Sequence, residues 1–103
     1  MRFQPEIKAR IRRGLTRKGL ELATLLSDVL AGKDRTRAVR ALGEDRPGER
    51  PDEKLRRYLA LVESRRQLLD AGSAEYGCCD GCGAELPTMA LVEMPWADRC
   101  PGH

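Results

Sequence analysis

Two short pairs of metal-binding side chains, seventeen residues apart, constrain this chain more than anything else in it. Cys79 and Cys82 form a C-x-x-C pair followed at once by Gly83, and Cys100 and His103 form a C-x-x-H pair. A tetrahedral Zn²⁺ site needs two such pairs, because each short turn aims two side chains at one point. The spacing between the pairs suits a zinc ribbon or finger, and Gly83 lets the backbone turn sharply behind the second ligand. The predicted site is therefore one structural Zn²⁺ held by Cys79, Cys82, Cys100 and His103. Other uses of these residues fit less well. A disulfide framework belongs with a secretory leader, and the first residues do not read as one. A thioredoxin-like pair needs a βαβ setting, and a haem attachment site needs histidine where Gly83 stands. A zinc deaminase needs an H-x-E, whereas the single histidine is His103. Cys78, beside the first ligand, reads as a bystander thiol or as a reserve ligand at C-x-x-x-C spacing from Cys82.

The rest of the chain has little with which to build a large core. Aromatic residues make up 4% and charged residues 34% of 103 positions, so a metal, a coiled coil or a partner must complete its stability. The net charge of +3 is unevenly spread. Arg2, Lys8, Arg10, Arg12, Arg13, Arg17 and Lys18 stand against Glu6 alone in the first twenty residues, while Asp80, Glu85, Glu93 and Asp98 outnumber Arg99 after residue 76. No apolar run approaches the eighteen or so residues of a membrane span.

Residues 5–31 read as a long helix. Pro5 suits its first turn, and Ile7, Ile11, Leu15, Leu22, Leu25, Leu26 and Val29 recur at helical spacing up to the stop signal Gly32. Gly14 and Gly19 each cost this helix roughly 1 kcal/mol against alanine. Residues 33–53 are the least apolar stretch. Gly43, Pro47, Gly48 and Pro51 forbid a long helix there, although Thr36 to Leu42 has room for a short one. The expectation is an exposed, mobile, charged tip. Residues 52–71 give a second helix, with Asp52 and Glu53 at its positive end and Leu55, Tyr58, Leu59, Leu61, Val62, Leu68 and Leu69 on one stripe. Two such stripes pack as an antiparallel, coiled-coil-like hairpin, and neither is wide enough to need a second partner, so a monomer is expected. Residues 84–94 suggest one or two short strands, with Leu86, Met89, Leu91 and Met94 covering the metal and Trp96 serving in packing. The predicted organisation is mainly α, with a hairpin over 1–75 joined to a zinc finger over 76–103.

A helical hairpin running straight into Tyr76-Gly77-x-Cys79-x-x-Cys82-Gly83, with Leu86, then Pro95, Ala97, Asp98 and Cys100, resembles the DksA/TraR zinc-finger family. The stretch from Leu61 to Gly77 also looks like that family's second helix. The resemblance implies a bacterial, cytoplasmic transcription regulator that binds RNA polymerase by placing its hairpin in the secondary channel. Some members act together with a guanosine tetraphosphate alarmone. His103 stands where most members carry cysteine. At the tip, Ala31, Asp34 and Thr36 stand where the best-known members have an Asp-x-x-Asp-x-Ala arrangement, and Glu44-Asp45 is a second acidic candidate. No alarmone-binding residue is carried over.

Two other functions are weighed against a polymerase-binding regulator. The basic first half of helix one reads either as a solvated face or as an electrostatic footprint for nucleic acid or an acidic protein, and the nucleic-acid case gives a small zinc protein that binds DNA without sequence specificity. The acidic finger argues against that reading, having no helix after its second ligand pair to enter a groove. An enzyme is not expected. Three thiolates and an imidazole leave zinc no open position, and no nucleophile stands beside a base.

Overall fold

A computed structural model describes residues 2–100. Four helices follow one another: α1, Pro5–Leu30; α2, Thr36–Arg40; α3, Pro51–Asp70; and α4, Thr88–Glu93. The chain is mainly helical, as its periodicity predicts. Among the described residues the sheet-like pairing is a single antiparallel bridge, Cys78 with Glu85. None of these helices is long and apolar enough to cross a membrane.

α1 and α3 form the body and run in opposite directions. Arg12 pairs with Asp70 at 2.9 Å, whereas Gly19 lies opposite Val62. Ile11, Leu15, Leu22 and Leu25 from α1 meet Leu55, Tyr58, Val62 and Leu69 from α3, all buried. Both helices stop by the same device. Gly32 (φ 82°) and Gly72 (φ 68°) take the left-handed conformation that costs glycine no steric penalty. The following amides, Lys33 N–H and Ser73 N–H, then donate back to the carbonyls of Asp28 (2.9 Å) and Leu68 (3.0 Å). These bonds satisfy carbonyls that the helix end would otherwise leave open. α3 starts on a carboxylate reach-back, with the Arg50 N–H donating to Glu53 Oε1 at 3.0 Å.

The segment between α1 and α3 is largely exposed and carries the short helix for which Thr36 to Leu42 leaves room, but it is tied to the body instead of hanging loose. α2 packs Val39 into the core, and residues beyond it fold back along α3. Lys54, 2% exposed, donates from Nζ to the Gly43 carbonyl (3.0 Å) and to Asp45 (2.6 Å). Arg57 donates to Glu49 at 2.8 and 2.9 Å and to the Glu44 carbonyl at 3.0 Å. Glu44 and Arg46 thereby share a cleft of about 410 Å³ with Met94, Trp96, Asp98 and Arg99. Glu44 is thereby drawn towards that cleft, whereas Asp45, 67% exposed, stays beside Thr36, Arg50 and Pro51 at the start of α3. The turn that follows α1, Gly32–Arg35, leaves Asp34 exposed as well.

Residues 84–94 also differ from expectation: Glu85 makes the single bridge, and Thr88–Glu93 form α4 in place of strands. Pro87 (φ −59°) stands at its start, and a single turn-and-a-half buries Leu91 while leaving Met89 63% exposed. A strand would have placed those two residues, two apart, on the same face.

Candidate metal centre

The cysteine pair sits on a tight turn. Leu86 N–H donates to the Gly77 carbonyl (2.7 Å), Cys79 N–H to Ala84 (2.8 Å) and Gly83 N–H to Cys79 (2.8 Å), so residues 77–86 close on themselves. A further bond, Asp80 N–H to the Asp98 carbonyl at 2.8 Å, ties this turn to the segment bearing Cys100. The result brings the sulfurs of Cys79, Cys82 and Cys100 within 4.8 Å of one another. Cys82 Sγ and Cys100 Sγ are 3.7 Å apart, well beyond the roughly 2.05 Å of a disulfide. Two thiolates about 2.3 Å from one tetrahedral ion would stand roughly 3.8 Å apart. The three cysteines therefore fit a metal ion.

Electrostatics favour the same use. Cys79 is 3% exposed, yet its thiol is pulled down to about 6, first by the backbone N–H of Cys100 and then by those of Cys82 and Gly81, against the effect of burial. The Gly81 N–H lies 3.3 Å from Cys79 Sγ. Amides aimed at a sulfur favour its thiolate, the form that binds metal.

Of the predicted ligands, three converge and the fourth, His103, lies outside the described residues. Cys78 does not join the trio. Its Sγ lies 3.3 Å from the Ala74 carbonyl, as a donor to the turn before it. Of the four residues expected to cover the site, Leu86 and Leu91 are buried, whereas Met89 and Met94 are exposed.

The turn is held against the helical body at several points. Tyr76, 2% exposed, donates its hydroxyl to the Pro95 carbonyl at 2.8 Å, and burial pushes its pKa up to about 12. Phe3 meets Tyr76 edge-on at 5.8 Å. Pro95 sits against Gly14 of α1, where an added Cβ would be 2.8 Å from the Pro95 ring. Lys18 lies 4.8 Å over the half-buried Trp96 ring. Arg2 pairs with Glu85 (3.0 Å) and donates to the Leu86 carbonyl. Arg65 of α3 reaches Asp80, inside the C-x-x-C turn, at 3.3 Å. Pattern reading had not singled out Arg65, although Tyr58, Val62, Arg65 and Leu69 share one helical stripe and so mark position 65 as inward.

No known protein family, curated protein or solved structure matches this chain.

Proposed function

We propose that this chain is a transcription regulator of the DksA/TraR type. It docks on RNA polymerase through the α1–α3 hairpin and uses a zinc finger as a structural brace. One Zn²⁺ is held by Cys79, Cys82 and Cys100, with His103 as the fourth ligand. The observation that carries the reading is the joining of two features the family motif joins. A three-thiol turn following Tyr76-Gly77 is clamped onto one end of an antiparallel helix pair. The described residues extend 43 × 27 × 20 Å, longer along one axis than across the other two. The turn that follows α1 presents Asp34, whose carboxylate accepts the Thr36 N–H at 3.1 Å and is held below the usual carboxylate range by that bond. The direct test is retention of the purified protein by core RNA polymerase, with crosslinks from the Gly32–Arg35 turn landing inside the secondary channel. Crosslinks only to promoter DNA, or no retention, would sink the proposal.

A second reading, non-specific nucleic-acid binding, rests on α1. Arg10, Arg13 and Arg17 lie on one stripe of that helix and have no acidic partner among the described residues. If it holds, DNA affinity falls steeply with salt, and charge reversal at Arg13 and Arg17 flattens that slope. Salt-insensitive retention by polymerase, with no DNA binding, rejects it.

A further inference from the structure

Among the described residues two charged side chains are buried, Lys54 and Arg65, and they differ in how they are satisfied. Lys54 has two close acceptors. Arg65, 9% exposed, has a single long contact, Nη2 to Asp80 Oδ2 at 3.3 Å, and its Nε is shut from solvent with no hydrogen-bond partner. Asp80 is itself 48% exposed. Removing a guanidinium from water costs several kcal/mol unless opposite charge surrounds it. One half-solvated carboxylate supplies little of that charge.

The missing charge is close in the chain. Asp80 follows Cys79 directly and lies within the C-x-x-C turn. Three thiolates carry −3, a divalent ion +2, and a neutral fourth ligand nothing, so the loaded cluster carries −1. Of the other cations at this end, Arg2 pairs with Glu85, Lys18 with Glu21 and the Trp96 ring, and Arg99, beside Cys100, is exposed. Arg65 alone among them is buried.

We infer that Arg65 is the counter-charge of the metal cluster, a positioning residue that touches no metal but stabilises the thiolate form of the site from α3. The inference rests on reading Cys79, Cys82 and Cys100 as metal ligands. It differs from a plain helix-to-turn tie in one respect. A tie acts only through Asp80, whereas a counter-charge acts on the cluster even when Asp80 is neutral.

That difference defines the experiment. Zinc affinity of the full chain is measured by competition with a chromophoric chelator for the wild type, Arg65→Met, Arg65→Lys, Asp80→Asn and the Arg65→Met/Asp80→Asn double variant. Loss of the guanidinium is expected to weaken zinc binding by about ten- to a hundredfold, the usual effect of removing an outer-shell partner. Arg65→Lys, which keeps the charge, recovers most of this. In the Asp80→Asn background Arg65→Met still costs about tenfold. Cobalt-loaded forms of all variants should keep the same thiolate-to-metal absorption bands, showing an unchanged ligand set. Wild-type affinity in Arg65→Met, or an effect that vanishes once Asp80 is neutral, overturns the inference and leaves Arg65 a structural tie. If Arg65→Met does not fold, Arg65→Gln is compared with Arg65→Lys, and equal affinities overturn it likewise. Failure of the wild type to bind zinc or cobalt removes the metal site itself, and this inference with it.

Discussion

Gly14 and Gly19 stand on the same helix, and the same substitution at each is expected to change stability in opposite directions. Replacing glycine by alanine inside a helix gains roughly 1 kcal/mol from propensity alone. At Gly19 the new methyl group meets only Val62 Cγ1, at 3.8 Å, an ordinary contact. Gly19→Ala should therefore stabilise the protein by about 0.5–1 kcal/mol. At Gly14 the new carbon would lie 2.8 Å from Cγ of Pro95, a rigid ring that is fully buried. Overpacking of this kind costs about 1–3 kcal/mol, which offsets the propensity gain and leaves Gly14→Ala about 0–2 kcal/mol less stable. Urea denaturation followed by circular dichroism, with excess zinc present, measures both. The clash should also loosen the metal turn, so Gly14→Ala should surrender zinc to a chelator faster than Gly19→Ala. Equal stabilisation by both variants would show that Pro95 does not rest on α1, and the described docking of the cysteine-bearing segment would be wrong.

Metal analysis of protein purified under reducing conditions should find one zinc per chain, and Cys78→Ser should leave that value unchanged. A chelator should unfold residues 76–100 while most α1–α3 helicity survives, because metal binding in such modules is folding free energy. Tyr76 gives an alkaline signature. Its pKa is raised to about 12 in the folded state from about 10 when unfolded, so its contribution is complete below pH 10 and is lost as the pH climbs towards 12. Tyr76→Phe should remove that alkaline loss, measured as stability against pH, while costing about 1–2 kcal/mol at neutral pH through the unpaired Pro95 carbonyl. Lys54→Met should cost about 1–3 kcal/mol by leaving the Gly43 carbonyl unpaired, with more cleavage by protease at residues 43–50 as the readout.

Much of this architecture was legible because it depends on repeats and spacings. The stripes of α1 and α3 are long enough to average out Gly14 and Gly19, and Cys79, Cys82 and Cys100 meet because their turns are short. α4 was not legible for the opposite reason. Six residues hold too little periodicity to separate helix from strand, and Pro87 decides the matter only once Leu91 has a pocket. The folded-back segment 43–50 was missed because Lys54 and Arg57 each hold one carboxylate, Asp45 or Glu49, and one backbone carbonyl, Gly43 or Glu44, at spacings that follow no helical or strand pattern. Arg65 carried a faint signal, a charge on an apolar stripe, which composition alone reads as surface.

The way the first residues wedge against the last elements bears on how the chain reaches this state. Arg2 joins the Leu86 carbonyl across a separation of 84 residues, and Gly14 waits for Pro95. Most of α1 can find α3 early, but the contacts of Arg2, Phe3 and Gly14 wait for residues 76–95. Contacts so distant pay their loop-closure entropy before any packing rewards it. Docking of the base should therefore follow the main barrier to folding. A Leu91→Val change should speed unfolding and leave the refolding rate almost untouched, as stopped-flow chevrons of zinc-loaded protein would show. A slowed refolding arm would instead place the base in the folding nucleus. If docking does come late, the half of the helix pair remote from the cysteines is built first and the cysteine-bearing end settles last.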